Sequence, residues 1–175
     1  MSNYTNYTYI SEEEERELLR DVIGRVEEVV LSLEDFDPLR TLVINVGPDY
    51  SSILAMRLCH ALSKDGESSH LVGIDLAYPD DDSNKKESYL KLAEGLLAIY
   101  ASTFSKIVLV EAAVLTGNTF RKFVDILTSK GFSKESLHTV SLVERNDSVF
   151  KCDIVGRHVE TTPEFWWEKP NKHWD

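Results

Sequence analysis

The chain has 175 residues, 42% hydrophobic and 28% charged, which suits one soluble globular domain with a full core. Thirty Asp and Glu against 19 Lys and Arg give a net charge of −11, a surface that repels nucleic-acid phosphates and anionic membranes and so argues against either as a general partner. No apolar run reaches the ~18 residues of a membrane span, the start MSNYTNYTYISEEEE lacks the features of a secretory signal, and Cys59 and Cys152 are far apart, so reduced thiols in a cytoplasmic protein are expected.

Residues 1–10 alternate polar and aromatic side chains and read as an arm. Ser11, three residues before Glu14, is a capping-box pattern. Glu12 to Glu15 set negative charge in a first helical turn, where the helix dipole favours it. Leu18, Leu19, Val22, Ile23, Val26, Val29, Val30 and Leu33 continue at helical spacing. This predicts a long amphipathic helix with a solvated acidic end. Glu34 to Pro38 make a turn, and TLVINV, Thr41 to Val46, reads as the first core strand. Gly47-Pro48-Asp49-Tyr50 breaks it, and a helix follows from Ile53 to about Ser63, with Asp49 or Ser51 as its cap. His70 to Leu76 reads as a second strand. The loop Tyr78 to Asn84 holds three successive aspartates but lacks the alternating spacing of a cation loop. Tyr89, Leu90, Leu92, Ala93, Leu96, Leu97 and Tyr100 predict the next helix.

The segment KIVLVEAAVLTGNTFR, Lys106 to Arg121, organises the rest. Ile107 to Val110 read as a strand buried on both faces, as in parallel sheets, and Glu111 stands at its expected end. The turn Thr116-Gly117-Asn118-Thr119 leads into a helix with Phe120, Phe123, Val124 and Leu127 on one side and Gly131 as its stop. Strand, glycine turn and helix can point backbone N–H groups at a phosphate. One glycine is a weak signal, and an ordinary βα turn fits these residues equally. Leu137 to Val143 is another apolar strand, ending in Glu144-Arg145, and Asp153 to Val155 is a short last one. The tail from Thr162 to Pro170 crowds Phe165, Trp166 and Trp167 together. Three such rings in a row cannot all face one core, so at least one lines a pocket or an interface.

The segment around Thr116 resembles the phosphoribosyl-diphosphate (PRPP) signature of the type I phosphoribosyltransferases. There an apolar strand ends in two acids and a Thr-Gly-x-Thr turn follows. Glu111 matches the first acid, and Ala112 stands in place of the second. Leu115 replaces the Asp that purine-salvage members use as general base. Asn45-Val46-Gly47 falls where the family's pyrophosphate loop carries a basic residue and glycines. Trp166-Trp167-Glu168-Lys169-Pro170 is similar to the tail of xanthine-guanine phosphoribosyltransferases, whose aromatic ring stacks on the purine, and Arg145 lies where they use a lysine on the base.

Alternating strands and helices predict an α/β fold, a Rossmann-like parallel sheet flanked by helices. The resemblance makes it phosphoribosyltransferase-type, a single domain over 1–175 with a small C-terminal hood, residues 1–10 as an arm and 153–175 as an aromatic tail. It implies binding of PRPP or a purine nucleotide, in a homodimer, and transfer of phosphoribosyl to a purine base with Mg²⁺. It implies Glu111 as the catalytic and metal-binding acid, and Ala112, Val114, Leu115, Thr116, Gly117, Asn118 and Thr119 as the PRPP and phosphate site. It implies Asn45, Val46 and Gly47 as the pyrophosphate loop, and Arg145, Phe165, Trp166 and Glu168 as the base site. The departures at Ala112, Leu115 and Asn45 imply weak or altered transfer. The alternative is a catalytically degenerate member acting as a binding, regulatory or assembly subunit.

Overall fold

The structure is a computed structural model that describes residues 7–46, 51–74 and 83–168, without the side chains of 83–90. The chain begins with a short strand, β1 (Tyr7–Ile10), and helix α1 (Glu12–Leu31), and a 3-10 turn then leads to β2 (Thr41–Asn45). Next come α2 (Ser51–Ala61), β3 (His70–Gly73), α3 (Ser83–Thr103) and β4 (Lys106–Val114). The order closes with α4 (Asn118–Ser129), β5 (Leu137–Arg145), β6 (Ile154–Val159) and β7 (Thr162–Phe165). Five strands form one all-parallel sheet in the order β3-β2-β4-β5-β6. The α/β expectation therefore holds.

The apolar runs of the sequence become strands covered on both faces. Ile107 and Leu109 of β4 pack with Ala93 and Leu97 of α3 and Phe120 and Phe123 of α4. Val108 and Val110 pack with Val22 and Val26 of α1 and Leu54 and Leu58 of α2. Period two in the strand thus feeds two helical layers. Helix α1 presents Leu19, Val22, Val26 and Val30 to the sheet at helical spacing. It lies close over β6, where a Cβ on Gly156 would fall 2.7 Å from the Leu142 carbonyl oxygen and 3.0 Å from a Val22 methyl.

Four expectations need correction. Residues 7–10 are not simply an arm: β1 pairs in parallel with β7 as a separate two-stranded sheet, Ile10 opposite Phe165. The last main-sheet strand is longer than Asp153 to Val155, because pairing with β5 carries it to Val159. The strand holding Glu111 does not stop there, since Ala113 and Val114 continue the ladder opposite Val143 and Glu144. Finally, the acidic start of α1 is only partly solvated. Glu14 closes the capping box with Ser11 and pairs with Arg157 at 2.8 Å, but Glu15 is buried.

Burial raises the pKa of Glu15, against the Trp166 N–H bond that favours its charge. A raised carboxyl supports the fold most below its ordinary pKa, and that support fades as pH rises through the folded value. Glu15→Gln keeps an acceptor for Trp166 and removes the buried charge. Urea melts from pH 4 to pH 8 should show the variant gaining on the parent as pH rises; a constant difference across that range contradicts the assignment.

Candidate functional site

The sheet order reverses direction between β2 and β4. From β2 the chain moves outward to β3, then returns to lay β4 on the other side of β2. The helices that follow these two strands diverge, α2 into one layer and α4 into the other. In open α/β sheets the crevice at such a point, beyond the carboxyl ends of the strands, is where ligands bind. The residues singled out at Asn45 and Glu111–Thr119 converge there.

At the end of β2, Asn45 is buried and its amide donates to the Ser52 hydroxyl at 3.0 Å, while its Oδ1 has no hydrogen-bond partner among the described residues. Val46 continues the ladder, its N–H on the Val110 carbonyl at 2.9 Å. Gly47 and Asp49 lie outside the described residues, as does most of the Tyr78–Asn84 loop. Ser51 was one candidate cap for α2. Its buried hydroxyl instead accepts the Ala112 N–H at 2.9 Å, joining the start of α2 to β4. Ser51→Ala strands that amide, and a buried donor left unpaired costs about 1–3 kcal/mol. A chemical melt of the variant should show that loss, and Ser51→Thr, which keeps the hydroxyl, should recover part of it.

Glu111 is half-buried and sits opposite Ser141. Ala112 is 6% exposed and packs in the α1/α2 layer. Ala113 packs toward the same layer, and Val114 toward α3 and α4. This break in alternation brings Leu115 out, 38% exposed. Thr116 and Asn118 are exposed and Thr119 is half-buried. Gly117 caps α4 in the left-handed conformation, φ 74°, and α4 has no side-chain cap. The first N–H groups of a helix have no partner within it. Among the described residues, the Asn118 N–H donates a long bond to the Thr116 hydroxyl at 3.4 Å. Arg121 donates to the Asn118 side chain at 3.1 Å.

One side of the turn is covered. The Val149 N–H donates to the Thr116 carbonyl at 3.0 Å. A Cβ on Gly117 would meet Ser148 Oγ at 2.5 Å and Phe150 Cβ at 2.6 Å. The covering segment is held by Glu144, a fully buried carboxylate that accepts the Cys152 N–H at 2.8 Å and lies 3.0 Å from the Lys151 ammonium. Burial, followed by this carboxylate, pushes the Cys152 thiol pKa well up, so it stays protonated and inert. Sequence reasoning named Ser51 only as a cap and missed its bond to β4, together with Ser52 and the Ser148–Phe150 cover. The serine pair directly after the Gly-Pro break was a usable signal; the cover, a loop returning from another strand, had none.

The base-site residues separate. Phe165 was expected against a purine but is 3% exposed in the α1/α2 core, stacked on Trp167 with centroids 4.4 Å apart. Its place opposite Ile10 in the β1–β7 pair turns it inward. Trp166 is 40% exposed, and its indole N–H donates to Glu15 at 2.6 Å, which ties it to the first turn of α1. Glu168 accepts the Phe165 N–H at 2.7 Å and so closes the local turn. Arg145 is half-buried and paired with Asp147. Among the described residues no three His, Cys, Asp or Glu side chains gather as a metal set, and no helix is long and apolar enough to cross a membrane.

No family sequence model matches the chain, and no curated protein matches it in sequence. Solved structures do match its fold. A purine phosphoribosyltransferase from Pyrococcus horikoshii Ot3 superposes with a TM-score of 0.61 at 17% identity, over 93% of this chain and 95% of that one. The Helicobacter pylori xanthine-guanine-hypoxanthine phosphoribosyltransferase gives 0.59 at 14%, over 94% of each chain. The Trypanosoma cruzi hypoxanthine phosphoribosyltransferase, in complex with its product IMP, gives 0.58 at 17%, over 91% of this chain and 83% of that one. The chain therefore has the fold of these enzymes over nearly its whole length.

Proposed function

We propose that the chain binds PRPP or a purine nucleoside monophosphate at the crevice between β2 and β4, and transfers phosphoribosyl to a purine weakly or not at all. The observation that carries this is the placement of the Thr-Gly-Asn-Thr turn. It stands at the switch point of the sheet and leads into α4, whose start has no side-chain cap. The exposed Thr116 and half-buried Thr119 add hydroxyls that both donate and accept. The fold shared with purine phosphoribosyltransferases, one of them holding IMP, supports the same ligand class.

Glu111 would hold the ribose hydroxyls and favour positive charge developing on the sugar. A hard cation such as Mg²⁺, when bound, offsets phosphate charge. It is commonly held by one or two carboxylates plus substrate phosphates, so the single Glu111 fits it. Of the two tail rings expected at the base, Phe165 and Trp166, Trp166 is the exposed one. A second reading, a degenerate binding or assembly subunit, draws on the cover over Gly117 and the inward Phe165. Calorimetry with PRPP and Mg²⁺, then with IMP, GMP and XMP, separates the two. Under the first reading heat is seen and Thr116→Ala diminishes it. Stacking is worth about 1–3 kcal/mol per base, so Trp166→Ala should weaken nucleotide binding by roughly tenfold. Under the second, no ligand gives heat, and Trp166→Ala instead changes the sedimentation of the protein.

A further inference from the structure

We propose that the trough between α1 and α2 is a second binding site, for a small molecule with a phosphorylated head and an apolar body. It lies on the outer helical face and does not depend on the phosphoribosyl reading. Helix α1 presents Arg16, Arg20 and Gly24 at successive i+4 places, and α2 presents Arg57 toward the same cavity of ≈ 500 Å³. Gly24 continues the arginine row with no side chain, and a Cβ there would meet nothing within 4 Å. The wall is therefore open where the row ends.

The charge balance of this cavity is the reverse of the chain's. The protein carries −11 overall, yet three guanidiniums face one carboxylate, Glu27, in the lining. Arg16 is paired with Glu12. Arg20 and Arg57 have no hydrogen bond or ion pair among the described residues; the nearby Glu15 feels Arg57 only through space. Two forked donors from facing helices suit the oxygens of a phosphate. A second cavity of ≈ 570 Å³ shares Arg57, Glu27 and Ile23 with the first and extends along α2 past Ile53, Met56 and His60. Ile53 and Met56 are exposed there, so apolar surface adjoins the basic end. Each volume falls in the range of small-molecule sites, about 300–1,000 Å³. The chain's net charge opposes a long polyanion or an anionic membrane, which leaves a compact ligand.

Phenyl phosphate is the minimal probe, with inorganic phosphate and phenol as its two halves. Each is titrated into the full chain while the methyl signals of Ile53 and Met56 and the side-chain signals of the arginines are followed by NMR. Phenyl phosphate should move both sets together and saturate, and each half-probe should bind more weakly. Arg20→Gln and Arg57→Gln should each weaken phenyl phosphate by about tenfold or more, the loss expected for a hydrogen bond to a charged group. Glu27→Gln should tighten it by about threefold, and Thr116→Ala should leave it unchanged. The arginines are exposed, so these variants are expected to fold, and thermal melts verify it. The proposal is overturned if the Ile53 and Met56 methyls do not shift, if Arg57→Gln binds like the parent, or if Thr116→Ala alone abolishes binding.

Discussion

Replacing Gly117 with alanine should lower the melting temperature by roughly 5 to 20 °C, as scaled from about 2–5 kcal/mol for a domain of this size. Two costs combine. A non-glycine residue in the left-handed region loses about 1–2 kcal/mol, and Gly117 sits there at φ 74°. Its new methyl would also lie 2.5 Å from Ser148 Oγ, 2.6 Å from Phe150 Cβ and 2.8 Å from the Phe150 nitrogen. One of these atoms is backbone and another is fixed directly to it, so the segment itself must lift, and overpacking of this kind costs about 1–3 kcal/mol. Adding Ser148→Gly removes the hydroxyl contact alone and should rescue only part of the loss. The stack of Phe150 on Phe120 of α4, centroids 5.6 Å apart, would be disturbed with it. Differential scanning calorimetry of the two variants is the measurement. An unchanged melting temperature in Gly117→Ala would mean that the segment over the turn is not seated as described.

What the sequence made legible follows local rules. The capping box at Ser11 and Glu14 is formed, with both reciprocal bonds present at 3.1 and 3.2 Å. The run Ile107–Val110 became a strand buried on both faces, as continuous apolar residues without alternation require. The glycine turn before α4 was also readable, because only a few residue types tolerate its backbone. The features that escaped are all made by distant partners. The β1–β7 pair joins residues 7–10 to 162–165, and neither strand is long or apolar enough to be recognised alone. Glu15 looks like its neighbours in the acidic run, and only the arrival of Trp166 from the far end of the chain distinguishes it. Ala112 reads as a lost acid in a motif. In the fold it is also a core residue whose N–H closes a bond to α2, a role that spacing along the chain does not reveal.

That difference between Ala112 and Leu115 sets the expectation for restoring catalysis. Leu115 is 38% exposed, so an aspartate there stays solvated and near its ordinary pKa. Ala112 is 6% exposed among the side chains of the α1/α2 layer. An aspartate there would bury a charge without a partner, at several kcal/mol. Leu115→Asp alone is therefore the productive change. A positioned acid or base contributes about 10²- to 10⁴-fold, and pyrophosphate release from PRPP with hypoxanthine, guanine or xanthine should rise by roughly 10²-fold or more over the parent. The gain should carry a new acidic limb in the pH–rate profile, since the added carboxylate must be ionised to accept a proton. Leu115→Asp combined with Ala112→Asp should be less stable than the single variant and no faster. A brisk parental rate would show that transfer here does not need the missing base. No gain in Leu115→Asp, in a protein that calorimetry shows binding PRPP, would show that the crevice holds the ligand without bringing position 115 to the base, which is binding without transfer.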